Sequence, residues 1–129
     1  MKDGRFSEHS WKKSEKIGIT TLDNLISIYG IPAFIKIDVE GMELEVMKGL
    51  TQKIRGISFE YTVPEETEKL IMCMEHAYSI NKNAIFNYSI GESMTLESDA
   101  WLSFEEMKAS VNNKKFVDTA WGDIYIRNV

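Results

Sequence analysis

Residues 34–50 read FIKIDVEGMELEVMKGL, an apolar run that ends in Asp38-Val39-Glu40-Gly41 and passes directly into a charged amphipathic segment. Apolar residues at consecutive positions, with β-branched Ile35, Ile37 and Val39, predict a strand over 34–39 covered on both faces, as in a parallel sheet. Gly41 marks its exit. From Met42 the period changes: Met42, Val46 and Leu50 fall on one helical face beside Met47, leaving Glu43, Glu45 and Lys48 to solvent. The two glutamates also suit the positive N-terminus of that helix.

The same alternation extends outward from this step. Upstream, Thr20 and Asp23 have capping-box spacing, with Asp as a shorter substitute for Glu, and Leu22, Leu25, Ile26 and Tyr29 recur at helical spacing. Gly30 suits the stop of that helix, and Pro32 forbids its simple continuation. Downstream, Ile57, Phe59 and Tyr61 alternate with Ser58 and Glu60 in a second strand. Pro64, Glu65, Glu66 and Glu68 then open a helix whose apolar face is Leu70, Ile71, Met74, Ala77 and Tyr78. A third strand is expected at 84–90, AIFNYSI. Ser103 and Glu106 form another capping-box pair ahead of Phe104, Met107 and Val111, and a polar turn at 112–115 leads to a last strand over 122–128.

Strands and helices alternating in this way predict an α/β domain with a largely parallel sheet and right-handed crossovers. The 129 residues fit one domain, read as a leader over 1–19 and an α/β unit over 20–129. A formal charge of −5 argues against a nucleic-acid partner, because an acidic surface repels phosphate. The sequence has neither a run of the ~20 apolar residues a membrane span needs nor the apolar centre of a secretory signal at its start. No membrane partner is expected. One cysteine, Cys73 among Ile71, Met72 and Met74, reads as a buried structural thiol and fits a cytoplasmic location.

In open α/β sheets, ligands bind beyond the carboxyl ends of the strands, a rim that here gathers Asp38 and Glu40, Glu60 and Thr62, and Ser89 and Glu92. An apolar strand ending in acid could hold nucleotide-bound magnesium, but no G-x-x-x-x-G-K-[ST] or G-x-G-x-x-G accompanies it. With His9 and His76 far apart and a single cysteine, no zinc ligand set is expected; each histidine reads as a surface residue. The residues alone leave two readings open for Asp38 and Glu40. They solvate the strand end and cap the next helix, with Lys36 neutralising Asp38, or they accept a substrate proton and attract a cationic cofactor.

The combination TTLDNL, IPAFIKIDVEGMELEVMKGL, ISFEY and WGDIYIRN resembles the C-terminal part of the FkbM family of S-adenosylmethionine-dependent methyltransferases. The I-K-I-D-V-E-G-x-E core and the T-L-D helix start are its specific elements, and residues 20–61 carry it best. The resemblance implies a partial Rossmann-like sheet, mostly parallel with a terminal antiparallel strand inserted beside the second strand here, and helices on both faces. It implies methyl transfer from S-adenosylmethionine, O-methylation of a small hydroxylated acceptor such as a sugar or polyketide-like molecule. Asp38, Glu40 and Glu60 are then the expected catalytic carboxylates, with Asp38 and Gly41 beside the cofactor and no metal. Asp38 ends the strand and is the primary carboxylate; Glu40 orients the acceptor or binds a cation, Glu60 assists, and Gly41 permits the tight turn.

The family's glycine-rich turn after its first strand, and the acidic residue after its second, have no counterpart in these residues. The chain therefore reads as the second half of a methyltransferase, expected to bind S-adenosylmethionine poorly by itself. The competing expectation is a non-catalytic remnant acting as an interaction module. In either case the unpaired edge of the first strand is expected to be covered by the leader, a partner chain or self-association.

Overall fold

The strand expected over 34–39 forms as β1 (Phe34–Ile37), and the computed structural model, which describes residues 18–129, builds the rest of the molecule around it. The leader, apart from Gly18 and Ile19, and His9 lie outside the described residues. Ahead of β1 stands α1 (Leu22–Tyr29), capped by Thr21, whose Oγ1 accepts the Asn24 amide at 3.1 Å. The expected Thr20–Asp23 capping pair is thus displaced by one residue. The reason is tertiary: the Asp23 carboxylate accepts both the amide and the hydroxyl of Thr51, at 2.8 and 2.6 Å.

After β1 come α2 (Glu43–Lys48), β2 (Gly56–Thr62), α3 (Thr67–Ile80) and β3 (Ile85–Ile90). The chain closes with α4 (Phe104–Val111), α5 (Lys114–Val117) and β4 (Trp121–Arg127). Two expectations change here. The buried face of α2 is Leu44 and Met47, continued by Leu50, at a spacing of three rather than four, so Glu43 is buried while Met42 is exposed. The polar turn expected at 112–115 forms at Asn112–Asn113, while Lys114 and Lys115 wind into α5, because Phe116 turns inward and stacks on Tyr61, centroids 4.7 Å apart, and edge-on to Tyr88 at 4.9 Å.

The four strands form one mixed sheet in the order β1-β2-β4-β3. The β1–β2 pairing is parallel and both pairings of β4 are antiparallel, so the sheet is only partly parallel, against the mostly parallel expectation. The inserted antiparallel strand beside β2 is present as β4. Register explains how the core forms. Ile35, Ile57, Ile126 and Phe86 make one cross-strand row and Ile37, Phe59, Ile124 and Tyr88 the next, all on one face. Every helix contributes buried side chains to the core on that side, including Ile26, Leu44, Met74, Met107 and Phe116.

The opposite face carries the rows Lys36-Ser58-Tyr125-Asn87 and Glu60-Asp123-Ser89. Helices on both faces were expected; the described helices pack on the apolar one, since only those rows offer apolar area to bury. At the outer edge of β3, residues 97–102 pair with Phe86 and Tyr88 through backbone hydrogen bonds of 2.7–2.8 Å. The outer edge of β1 pairs with no strand among the described residues.

Candidate functional site

The Asp38–Met42 step determines the shape of the rim. Val39 O accepts the Met42 amide at 3.3 Å, closing a four-residue turn, and the two central residues have positive φ, 47° at Glu40 and 100° at Gly41. This is the pattern of a type I′ turn, which glycine adopts freely and which strains an L-residue such as Glu40. Two charged side chains grip the turn from outside. The Gly41 amide donates to Glu43 Oε1 at 3.1 Å, and Lys69 Nζ, reaching from α3, donates to Gly41 O at 3.2 Å.

The turn separates two carboxylates that a continuous strand would have kept on one face. Residues two apart in a strand point the same way, but the left-handed Glu40 breaks that alternation. Asp38 therefore lines a hollow of about 320 Å³ on the polar face of the sheet, with Lys36, Glu60, Glu92, Met94, Trp121 and Asp123. Glu40 and Gly41 line another, of about 280 Å³, between the turn and α3, with Glu43, Thr62, Lys69 and a floor of Phe59, Leu70 and Cys73. Glu60 borders both hollows. The rim so joins Asp38 to Glu60, and Glu40 to Glu60, without putting Asp38 and Glu40 in one hollow.

The electrostatics follow from this crowding. Burial at the end of β2 raises the Glu60 carboxyl above the ordinary carboxylate range, and the negative charges of Asp38, Asp123, Glu43 and Glu40 raise it further. Burial likewise raises Asp123, opposed by the Lys36 cation and reinforced by Asp38 and Glu92. Such carboxyls hold protons more tightly than free ones and can accept them from a ligand, while the surplus of negative charge draws cations. Trp121, 41% exposed at the wall of the larger hollow, adds an aromatic face of the kind that binds organic cations.

Several of these residues escaped the sequence reading. Asp123 and Trp121 lie in the quoted WGDIYIRN, where alternation already places 121, 123 and 125 on one face; the missing information was that β4 runs antiparallel against β2, which sets Asp123 beside Glu60. Lys69 had no local signal, since its partner is 28 residues away. Ser89, expected at the rim, is buried with its hydroxyl 3.5 Å from the Tyr125 hydroxyl and does not line the hollow. His76 is half-buried, with Nε2 2.7 Å from Leu50 O, rather than on the surface. Cys73 is buried as expected, its thiol pushed up to about 12 chiefly by burial.

Among the described residues no group of three or more His, Cys, Asp or Glu is arranged to hold a metal ion, and no helix is long and apolar enough to cross a membrane. No curated protein matches the chain. The sequence profile of the Methyltransferase FkbM domain matches residues 3–110, a span that includes α1 to β3, both rim carboxylates of the turn and Glu60. With most of its length inside that match, and with the family's I-K-I-D-V-E-G-x-E core forming the strand and turn of the rim, the chain belongs to the FkbM methyltransferase family.

Proposed function

We propose that this chain supplies the acceptor side of an S-adenosylmethionine-dependent O-methyltransferase acting on a small hydroxylated acceptor such as a sugar or polyketide-like molecule. The observation that carries this reading is that Asp38 and Glu60, at the carboxyl ends of adjacent parallel strands in an FkbM-family chain, line one hollow. When bound, S-adenosylmethionine supplies an electrophilic methyl group on a sulfonium cation. The donor set fits that cation: Asp38, Glu60, Glu92 and Asp123 outnumber the single cation of the lining, Lys36, and Trp121 offers a π face. The nucleoside is assigned to a glycine-rich turn that these 129 residues do not contain, so binding to them alone is expected to be weak.

Asp38 is the primary carboxylate, receiving the acceptor hydroxyl proton as the oxygen becomes nucleophilic. Glu60, whose carboxyl is raised, assists as a second proton acceptor, and Glu40 orients the acceptor from the neighbouring hollow. Holding the acceptor in line is the larger contribution, roughly 7–11 kcal/mol, against about 10²- to 10⁴-fold for a positioned base. A cytoplasmic location suits the single buried thiol.

The test uses the full-length protein, S-adenosylmethionine labelled in its methyl group and a panel of hydroxylated small molecules. Asp38→Asn is expected to lower the transfer rate about 10²- to 10⁴-fold with an unchanged circular-dichroism spectrum. Full transfer by that variant removes Asp38 from the reaction. A second reading, a non-catalytic interaction module, is favoured by the outer edge of β1, which has no strand partner among the described residues and begins at the half-exposed Phe34. It predicts no labelled product from any acceptor, together with a concentration-dependent mass in light scattering.

A further inference from the structure

Resting on that reading of the rim, we propose that Glu43 is a positioning residue, which holds the Glu40–Gly41 turn so that Asp38 and Glu40 are presented to their two hollows. Glu43 is the first residue of α2, yet it is 8% exposed, unlike its neighbour Glu45. A carboxylate buried to that degree must be doing something with its oxygens, because desolvation alone disfavours it. Its Oε1 accepts the Gly41 amide, which orients the Glu40–Gly41 peptide plane. Lys69 Nζ donates to Gly41 O and orients the next peptide plane, and Lys69 is itself 3.9 Å from Glu66 Oε1. The residue that confers freedom on the turn is thus held by an anion on one side and a cation on the other.

The clamp answers a specific need. Glutamate is a poor occupant of a left-handed position, so a turn with φ of 47° at Glu40 requires support from outside itself. Charge-assisted hydrogen bonds to the two peptide groups of Gly41 give that support. Without it, Glu40 relaxes toward negative φ, and the direction of its carboxylate and of the Asp38 strand end changes. Lys69 also ties α3 to the turn, so a hydrogen bond joins the two walls of the smaller hollow.

The test separates reach from charge. Glu43→Gln keeps an oxygen at the same reach and removes the charge; Glu43→Asp keeps the charge and withdraws the oxygen by one methylene. Hydrogen exchange of the Gly41 amide in the full-length protein is expected to accelerate about tenfold or more in Glu43→Asp and only about threefold in Glu43→Gln, which keeps the hydrogen bond and loses its charge assistance. The amide resonances of Asp38 to Glu40 are expected to shift in the first variant and hold in the second. Lys69→Ala, at an exposed site on α3, should accelerate the same amide severalfold and guards against a misfolded Glu43 variant.

In methyl transfer, Glu43→Asp is expected to lower kcat about tenfold to a hundredfold with little change in the KM of the methyl donor, and Glu43→Gln to restore it. Exchange unaltered in both Glu43 variants, or accelerated equally in both, overturns the clamp. Accelerated exchange with kcat untouched leaves a structural hydrogen bond and overturns the positioning role. A parent protein that transfers no methyl group refutes the function proposed above, while the exchange and resonance shifts still decide whether Glu43 sets the turn.

Discussion

Placing Ala at position 122 tests the central feature of the topology, the insertion of β4 between β2 and β3. Gly122 lies opposite Tyr61 on one side and Ile90 on the other. A Cβ there would overlap the backbone oxygen of Ser89 and stand 3.0 Å from the Tyr61 ring and hydroxyl. The Ser89 oxygen belongs to a strand and cannot swing away, so relief requires β3 and β4 to separate by about 1 Å, which strains an already close-packed core. Overpacking of this kind costs about 1–3 kcal/mol, and a weakened ladder bond adds about 1 kcal/mol. Against this, replacing Gly in a strand regains about 0.5–1 kcal/mol through the unfolded chain.

The net expectation is a loss of about 2 kcal/mol, within a span of about 1–3.5 kcal/mol, or roughly 8 °C in Tm for a domain of this size. Gly56→Ala is the matched control. Its Cβ would meet Phe34 Cδ1 at 2.7 Å, but that ring is 51% exposed and can rotate into solvent, so the expected cost is below about 1 kcal/mol. Urea unfolding of both variants gives the comparison at constant m. If Gly122→Ala lies within about 1 kcal/mol of the parent, or if Gly56→Ala proves the costlier, β4 is not packed between β2 and β3 as described and Asp123 does not stand beside Glu60.

Four further outcomes can be checked with the same equipment. Because the Glu60 carboxyl is raised, its charged form opposes folding once pH passes its unfolded value near 4.5; Glu60→Gln should therefore raise the urea midpoint at pH 7, with the gain vanishing below that value. Asp23 behaves in the opposite sense: the Thr51 hydrogen bonds lower its carboxyl below 3.8, so their stabilisation is complete above that pH and lost as pH falls through the lower folded value. In acid unfolding, Thr51→Val should be less stable than the parent at pH 6 and converge with it toward pH 2. Ser103→Ala removes one half of a complete capping box, with Ser103 Oγ at 3.1 Å from the Glu106 amide and Glu106 Oε1 at 2.8 Å from the Ser103 amide, and should cost about 1 kcal/mol. Cys73, with its thiol pushed up to about 12, should react with thiol reagents only as fast as the chain opens, and addition of urea should raise that rate in step with the unfolded fraction.

Local chemistry made much of this protein legible in advance. β-branched runs produced β1 and β2 within two residues of the expected limits, and the Ser103–Glu106 pair produced the α4 cap, because strand propensity and capping depend on residues close together in the chain. Gly41 was readable as a turn because few other residues accept its φ of 100°. The I-K-I-D-V-E-G-x-E core identified the family before any coordinate did.

What tertiary structure decided were matters of long-range geometry. The buried face of α2 moved to Leu44 and Met47, taking Glu43 inside, because a helix of six residues turns whichever side its neighbours can cover. The expected turn kept Asn112 and Asn113 but gave Lys114 and Lys115 to α5, because Phe116 found two aromatic rings contributed by β2 and β3. Asp38 and Glu40 parted into separate hollows because one left-handed residue broke strand alternation. Glu60 gained its tight hold on protons first from burial and then from the charges of Asp38 and of Asp123, the latter 63 positions further along the chain but directly opposite in the register. The sequence by itself determined most of the strands, helices and turns, α5 excepted, since those preferences are set within a few residues. Strand order and side-chain direction were left to the folded chain, where alone the packing of distant segments makes one arrangement lower in free energy than the others.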